Sequence, residues 1–510
     1  MVRPSLPAFQ QWLTERGQKP LGVWVLVLGA SMTLGFAPFG LWPVALLSLA
    51  GLWWLVRHAA SSKQAAGAAL VWGMGHQVTA LYWLPWAFFK DAGGSWLAAI
   101  GGGVPAVLGL ALFGALAYIL PSMLAWQVGR RTHWTLAALV WVVLWVVLEF
   151  IKGLHPMGFP WLPVGAVFAT SLTLMQMASV GGVWLLSLLL LSMAVLLNAK
   201  LWRVQAISLA LLLGMMAFGI LRLAQNPEVA GTDMVRVVQP NIQSAHKWDA
   251  QMRWAFLQET LAVALDGGDS VPATVIMPET AVAFYLDEED DVRRAIAARL
   301  AARMPEQGAL FTGTVRREPK PHAVAGSLPN FYNSFGIMDT QGNLRGVYDK
   351  RLLVPFGEYI PGRSFLESLP LPVTLRTLSQ SRIDFTHGTR SPVLSTPAGD
   401  AVALICYEGI FPLQVAEASA HARYLANITN DSWFTGTIAL YQHAALSRLR
   451  AVETGVPLVR VANTGLTLVY DGMGREILRL PINTALHKDV ALPPALPETP
   501  FVKVVKLLLG

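Results

Sequence analysis

Apolar and polar positions are distributed in two different ways along this chain, and the change falls near residue 226. Before it, apolar residues run in long blocks with few charges. Seven blocks, at about 21–36, 41–56, 66–86, 95–127, 134–151, 163–198 and 202–223, predict membrane-spanning helices, since a crossing needs roughly 20 helical residues. The second block is short, and the fourth and sixth are long enough to include irregular turns. Gly101-Gly102-Gly103, Pro105 and Gly181-Gly182 predict close packing or kinks within them. Residues 1–19 place Arg3, Arg16 and Lys19 around Phe9, Trp12 and Leu13, the pattern of a short surface helix. No small-residue cleavage site follows the first block, so it is expected to be a retained span rather than a signal peptide.

From residue 233 the runs are short and alternate with helical segments. Strands are predicted at 235–241, 273–277 and 309–315, and a hairpin over 333–339 and 344–349. Further strands are predicted at 401–405, 424–429, 458–462 and 466–470. Helices are expected at 250–264, 290–303, 413–420 and 442–454, and an irregular connection at 361–388. Alternating strands and helices with interspersed hairpins predict a layered α/β sandwich. The expected organisation is a multi-span membrane domain over 1–226 and a globular domain over 233–490. Residues 491–510 form a tail, either interfacial or a truncated eighth span, because 501–510 offers ten residues with Lys503 and Lys506 among them.

Composition sharpens the division. Hydrophobic residues make up 54% and charged residues 14% of the 510, and mean hydropathy is +0.48. An ordinary soluble domain is about 25% charged. The net charge of +7 is not gathered into a basic block with interleaved aromatics, which argues against nucleic acid. Its placement instead predicts topology. Arg3, Arg16, Lys19, Arg57, Lys63, Arg130, Arg131, Lys200 and Arg203 fall on one side of the seven blocks. Lys90 and Lys152 fall on the other, with Arg222 at the last boundary. By the positive-inside rule the N-terminus is cytoplasmic, and an odd number of spans puts the globular domain outside, in the periplasm of a Gram-negative cell. One cysteine excludes an internal disulfide and any Cys-based zinc site.

That cysteine, Cys406, ends the apolar run Ala401-Val402-Ala403-Leu404-Ile405, and Gly409, Pro412 and a helix follow. Such a turn exposes a nucleophile at a sheet edge and aims backbone N–H groups at what it attacks. A lone cysteine is also a common core residue. Two further polar residues stand at predicted strand ends, Glu279 and Lys350. A carboxylate supplies the base a thiol needs, and a lysine stabilises a developing oxyanion and keeps the carboxylate ionised. In the membrane half, His76 and Glu149 lie in apolar runs and are either functional or satisfied by a neighbouring helix. Gly158-Phe159-Pro160-Trp161 is expected to be an interfacial anchor.

The order Glu279, Lys350, Cys406 resembles the nitrilase superfamily. With a multi-span half before it, the chain resembles the apolipoprotein N-acyltransferase family over nearly its whole length. The stretches that carry the resemblance are Gln239-Pro240-Asn241-Ile242-Gln243 with Lys247-Trp248, Pro278-Glu279-Thr280-Ala281, Tyr348-Asp349-Lys350-Arg351, and Val354-Pro355-Phe356-Gly357-Glu358-Tyr359. They continue through Cys406-Tyr407-Glu408, Asn430-Asp431-Ser432-Trp433-Phe434 and Asn463-Thr464-Gly465, with Gly158 to Trp161 in the membrane half. Met277, Leu352 and Thr435 stand where the family often has Trp, His and Gly, and an eighth span is usual there.

The resemblance implies an αββα-sandwich nitrilase-like domain in the bacterial inner membrane, with neither cofactor nor metal and a monomeric state. It implies that Glu279 is the base, Lys350 and the Tyr407 N–H the oxyanion donors, and Cys406 the nucleophile. The donor would be a phospholipid, the sn-1 chain of phosphatidylethanolamine, and the acceptor a diacylglyceryl apolipoprotein, with ping-pong transfer through a thioester. Trp248 and Trp433 would line the substrate site, and Glu358 and Glu408 would orient Lys350, bind the amine or serve a purely structural role. Phe365, Leu366, Leu369 and Leu371 would form an apolar lid. Two other readings are a membrane-anchored nitrilase-type amidase and a transporter or scaffold with an inactive domain.

Overall fold

A computed structural model describes residues 18–91, 94–154, 158–242, 249, 251–267, 270–320, 328–363, 384–433 and 435–509. These form two compact units. One runs to Lys152 and adds Trp161–Arg222 and Gly436–Ala445; the other comprises Gly153–Pro160, Leu223–Thr435 and the chain from Leu446 onward.

The first unit is helical. Its helices are α1 (Gln18–Ser31), α2 (Trp42–His58), α3 (Ser62–Leu81), α4 (Leu84–Asp91), α5 (Val104–Arg131), α6 (Trp134–Lys152), α7 (Ala178–Leu196) and α8 (Trp202–Gln225). Every predicted apolar block holds helix. Among the described residues four stretches are long and apolar enough to cross a membrane: Trp96–Arg131, Trp134–Lys152, Leu174–Leu196 and Trp202–Gln225. The third block differs from expectation. Its helix begins earlier, because the Ser61 side chain caps it by accepting from Gln64 N. It ends at Leu81, and a separate helix starts just before Pro85, where the missing N–H costs nothing. The glycine-rich stretches do bend the helices: Ala99–Gly103 is a π turn, and Gly182 breaks α7 at φ 65°, ψ −168°.

Helices α1 and α3 meet backbone to backbone. A Cβ at Gly29 would lie 1.9 Å from Trp72 O, and one at Gly75 would lie 2.1 Å from Leu26 O, so only glycine permits this approach. The two ionisable residues singled out here differ in their surroundings. Glu149 is hydrogen-bonded throughout: Val164 N and Trp145 Nε1 donate to Oε1 at 2.8 and 3.2 Å, and Ser187 Oγ to Oε2 at 2.6 Å. It ties α6 to α7 and the intervening turn. His76 is fully buried and stacks on Phe36, and its ring nitrogens have no partner among the described residues.

The second unit is built on two six-stranded sheets. Its strands are β1 (Met234–Gln239), β2 (Thr274–Ile276), β3 (Ala309–Glu318), β4 (Asn330–Asp339), β5 (Leu344–Asp349), β6 (Val393–Leu394), β7 (Ala401–Ile405), β8 (Tyr424–Thr429), β9 (Leu458–Ala462), β10 (Leu468–Tyr470), β11 (Glu476–Arg479) and β12 (Leu486–Ala491). The orders are β12-β1-β2-β3-β4-β5 and β11-β10-β9-β8-β7-β6. In each sheet three strands are parallel, β1-β2-β3 and β7-β8-β9, and the other pairings are antiparallel.

Val237, Ile276 and Phe311 of one sheet share a core with Ala403, Ile428 and Val461 of the other, so the sheets pack face to face. Helices α9 (Arg253–Leu265) and α10 (Asp290–Arg303) cover the outer face of the first sheet with Leu257, Leu261 and Leu300. Two further helices are α11 (Pro412–Ala418) and α12 (Ala439–Thr454). This is the layered sandwich that the strand–helix alternation predicts.

Strands β6, β11 and β12 are additions to that prediction. They are edge segments: β11 has no buried residue, and β12 exposes Lys488 and Asp489. A search for apolar runs passes over them. Strand β12 nevertheless completes the sheet, because Asp489 accepts from the buried Arg236 on β1 at 2.6 and 2.8 Å. The chain closes with α13 (Pro500–Leu509), which buries Phe501, Val502 and Val505 and exposes Val504, Leu507 and Leu508.

Candidate active site

Strand ends of both sheets supply the candidate residues. Strand β2 stops at Ile276, and Pro278, which cannot donate to a ladder, directs the chain into the Glu279 turn. Thr280 is left-handed there (φ 49°). The turn presses on β3 at Gly313, where a Cβ would lie 2.3 Å from Thr280 N and 2.5 Å from Glu279 Cα. Lys350 follows β5 directly, its N–H donating to Asn333 O at 2.8 Å. Cys406 follows β7 and is also left-handed (φ 51°), a conformation that costs a non-glycine residue on the order of 1–3 kcal/mol and persists only when its surroundings fix it. The helix expected at 413–420 follows after one further element. A 3-10 turn, Cys406–Ile410, comes first, and α11 begins only where Pro412 can occupy its first turn.

The three predicted residues are brought together. Glu279 Oε1 lies 3.9 Å from Lys350 Nζ. Lys350, almost fully buried, is closer to Glu358, whose Oε1 accepts from Nζ at 2.9 Å. Glu358 is held in turn by Val354 N, which donates to Oε2 at 2.8 Å. One amide joins the carboxylates: Asn333 Nδ2 donates to Glu279 Oε1 at 2.7 Å and to Glu358 Oε1 at 2.9 Å. The second sheet completes the hold, since Asn430 N, just after β8, donates to Glu279 Oε2 at 2.8 Å.

These contacts set the electrostatics. Burial raises the Glu279 carboxyl above its usual range; Lys350 opposes this, Glu358 adds to it, and the Asn333 and Asn430 donors lower it again. Burial alone would lower Lys350, yet Glu358, Glu279 and Cys406 outweigh it and hold the ammonium charged. The Cys406 thiol is pushed up to about 12 by burial and by the Glu279 charge, against the pull of Lys350 and of a hydrogen bond with Thr429. A partly accessible thiol of that kind is inert alone and needs a base at hand.

Of the supporting candidates, Glu408 is held by donors other than Lys350. Its Oε1 accepts from Tyr348 Oη at 2.6 Å, Arg351 N at 2.8 Å and Leu352 N at 3.1 Å, and its Oε2 accepts from Ile405 N at 2.8 Å. Four donors converge on one buried carboxylate, which clamps the strand before Cys406 to the segment after Lys350. A Glu408→Gln variant presents an amide N–H₂ to at least one of those donors. It is expected to lose about 2–4 kcal/mol of stability, read as a lowered unfolding temperature in detergent.

Tyr407 is buried, donates from its hydroxyl to Gly158 O at 2.9 Å and stacks on Phe159. Gly158 and Phe159 therefore pack against Tyr407, the residue after Cys406. Trp161, likewise buried, donates from Nε1 to Gln442 Oε1 at 3.2 Å in the helical unit. Trp433 is 39% exposed at the end of a short 3-10 turn. Trp248 and the lid residues Phe365, Leu366, Leu369 and Leu371 lie outside the described residues.

The residues missed by the sequence reading are the buried amides and ions behind the strand ends. Arg460 Nη2 grips both oxygens of Asp431 at 2.9 and 2.8 Å, and Arg460 Nη1 donates to Asn427 Oδ1 at 2.8 Å. Asn427 Nδ2 reaches the carbonyls of Leu404 and Cys406 at 3.3 Å and so fixes the elbow. Asn463 exchanges hydrogen bonds with Ile242 after β1. The available signal is polar residues at buried positions within strands, as with Asn427 in Tyr424–Thr429 and Asn333 in Asn330–Asp339.

Similarity to known proteins covers both halves of the chain. Residues 28–196 match the profile of the apolipoprotein N-acyltransferase N-terminal domain, and residues 234–484 match that of carbon-nitrogen hydrolases. An apolipoprotein N-acyltransferase of Bradyrhizobium diazoefficiens is 34% identical, over 94% of this chain and 90% of its own. One of Sinorhizobium medicae is also 34% identical, over 92% and 89%. Among solved structures, an amidase from Nesterenkonia sp. AN1 aligns with 54% of this chain and 94% of its own at 18% identity and a TM-score of 0.37. Both halves of the chain match in order, and these relatives match over 92–94% of it. The chain belongs to the apolipoprotein N-acyltransferase family.

Proposed function

We propose that this protein moves an acyl chain from a membrane phospholipid to the N-terminal amine of an S-diacylglyceryl-cysteine apolipoprotein, through a thioester on Cys406. The observation that carries the proposal is the left-handed Cys406 at the end of β7, coupled to Glu279 and Lys350. The names of the relatives and the apolar helices support lipid substrates.

In the proposed first half-reaction Glu279 takes the thiol proton and the thiolate attacks an ester carbonyl, at the sn-1 position of phosphatidylethanolamine. Lys350 and the Tyr407 N–H steady the oxyanion, and a lysophospholipid departs. In the second, the lipoprotein's free amine attacks the thioester and Glu279 accepts its proton. Moving a proton from Cys406 to Glu279 relocates one negative charge without creating another, and Lys350 attracts it in either place. Glu358 holds the Lys350 ammonium between the two carboxylates. Trp433 and Trp248 are assigned to the substrate-lining surface, and the protein to a monomer.

The catalytic domain, 233–490, is assigned to the periplasmic side of the inner membrane. Seven spans in 1–226 precede it, the N-terminus is cytoplasmic, and an interfacial tail follows over 491–510, where α13 presents Leu507 and Leu508 beside Lys503.

Purified protein incubated with phosphatidylethanolamine is expected to gain one acyl mass on the peptide containing Cys406, and to lose it when a diacylglyceryl-cysteine peptide is added. Release of the chain to water, with small amides turned over instead, would favour the amidase reading. No acyl mass from any phospholipid would refute the proposal.

A further inference from the structure

The proposed acid–base pair leaves one neighbour of the Cys406 thiol unused. Thr429 ends β8 and is fully buried. The parallel register sets Ile405 beside Ile428, which brings residue 429 alongside residue 406. Its hydroxyl is within hydrogen-bonding reach of the thiol and donates to Asp431 Oδ1 at 2.9 Å. Asp431 is fixed through both oxygens by Arg460, and neither side chain is exposed. The same guanidinium fixes Asn427, whose amide holds the Cys406 carbonyl. One buried cation thus sets both the elbow backbone and the carboxylate that Thr429 bonds.

We propose that Thr429 is a catalytic hydroxyl that turns its hydrogen from Asp431 to the Cys406 sulfur as the thiolate forms. The inference rests on Cys406 being the nucleophile. In the resting state the single hydroxyl hydrogen points to Asp431 and a lone pair of Oγ1 is free to accept from S–H. When the thiol proton passes to Glu279, the S–H bonding pair stays on sulfur. Rotation about the Cβ–Oγ1 bond then delivers the hydroxyl hydrogen to that charge, and no covalent bond of Thr429 breaks. Asp431 keeps both Arg460 hydrogen bonds, so the carboxylate that Thr429 leaves is not stranded.

The charged groups facing the sulfur are Glu279 and Asp431, which disfavour the thiolate, and Lys350, which favours it. A neutral donor that appears only on ionisation stabilises the thiolate without adding charge. Its loss should slow reactions of the thiolate roughly ten- to hundredfold, the range for a hydrogen bond to a charged group.

The test uses the full-length protein with Thr429→Ser, Thr429→Val and Thr429→Ala. Cys406 is the sole cysteine, so alkylation by iodoacetamide is read directly as added mass, across a range of pH, beside acylation from phosphatidylethanolamine. The serine variant is expected to follow the wild type. The valine and alanine variants are expected to alkylate along a profile moved to higher pH by about one unit or more, and to acylate ten- to hundredfold more slowly. Valine preserves shape and alanine reduces volume, so misfolding of one leaves the other readable. Profiles of both that overlay the wild type would overturn the proposal, as would a serine variant that fails like alanine, because the methyl group would then be what matters. If the wild type alkylates but takes no acyl chain from phospholipid, the acyl-transfer reading fails, and the valine and alanine profiles still decide the role of the hydroxyl.

Discussion

A Cys406→Ala variant is expected to lose the acyl mass and the transfer to the amine together, with the overall rate reduced by roughly 10⁴-fold or more, as when a covalent nucleophile is removed from other acyl-transfer enzymes. The stability of the same variant should change little. The site around Cys406 is held by contacts its side chain does not make: Asn427 to its carbonyl, Glu408 to Ile405 N, and the Pro412 start of α11. Alanine also tolerates the left-handed backbone no worse than cysteine. Mass spectrometry of the protein after exposure to phospholipid, with thermal unfolding in the same detergent, separates the two effects. Retained N-acylation in a folded Cys406→Ala protein would sink the thioester route outright, because there is no second cysteine to take over.

How much of this was legible beforehand depends on the kind of contact. Glu279, Lys350 and Cys406 stand where apolar runs stop, and a stopped run is visible in a sequence. Their meeting required the two sheets to face each other, which alternation of strands and helices implies but does not locate. The hairpin Asn330–Asp339 with Leu344–Asp349 was legible because its turn residues, Gln341, Gly342 and Asn343, leave few alternatives; Asp339 accepts from the N–H of Gln341 and of Asn343 there.

Glu358 and Glu408 were not separable in the sequence, since each stands between a glycine and a tyrosine. Only the structure assigns one to Lys350 Nζ and the other to four donors around the elbow. Strands β11 and β12 were invisible for the opposite reason: they are edges whose partners, not their own apolar content, make them strands. Gly158 and Phe159 read as an anchor because aromatic residues near apolar spans are cheap to explain by the interface, and the hydroxyl of Tyr407, 249 residues away, donates to Gly158 O.

The Glu279→Gln variant carries the other large effect, and pH separates its two consequences. Removing the base should lower acylation by roughly 10²–10⁴-fold, since a thiol pushed up to about 12 yields almost no thiolate unaided. In the wild type, activity should fall as pH drops through the raised Glu279 value, where the carboxylate becomes protonated. Stability runs the other way. Because burial raises this carboxyl in the folded state, the folded chain binds a proton over a window in which the unfolded chain has already released it. Stability therefore falls as pH rises from the ordinary carboxylate value through the raised one, and the penalty is fully present above it. Glutamine has no such penalty. Whatever the variant loses in hydrogen bonds to Asn333 and Asn430 is the same at every pH, so its unfolding temperature relative to the wild type should climb as pH rises through that window. Unfolding measured in detergent at matched scan rates, from the ordinary carboxylate value upward, checks the sign. A difference that shrinks with rising pH would mean that Lys350, at 3.9 Å, stabilises the Glu279 charge by more than burial destabilises it, and Glu279 would then be an ion-pair partner rather than a base held ready to accept a proton.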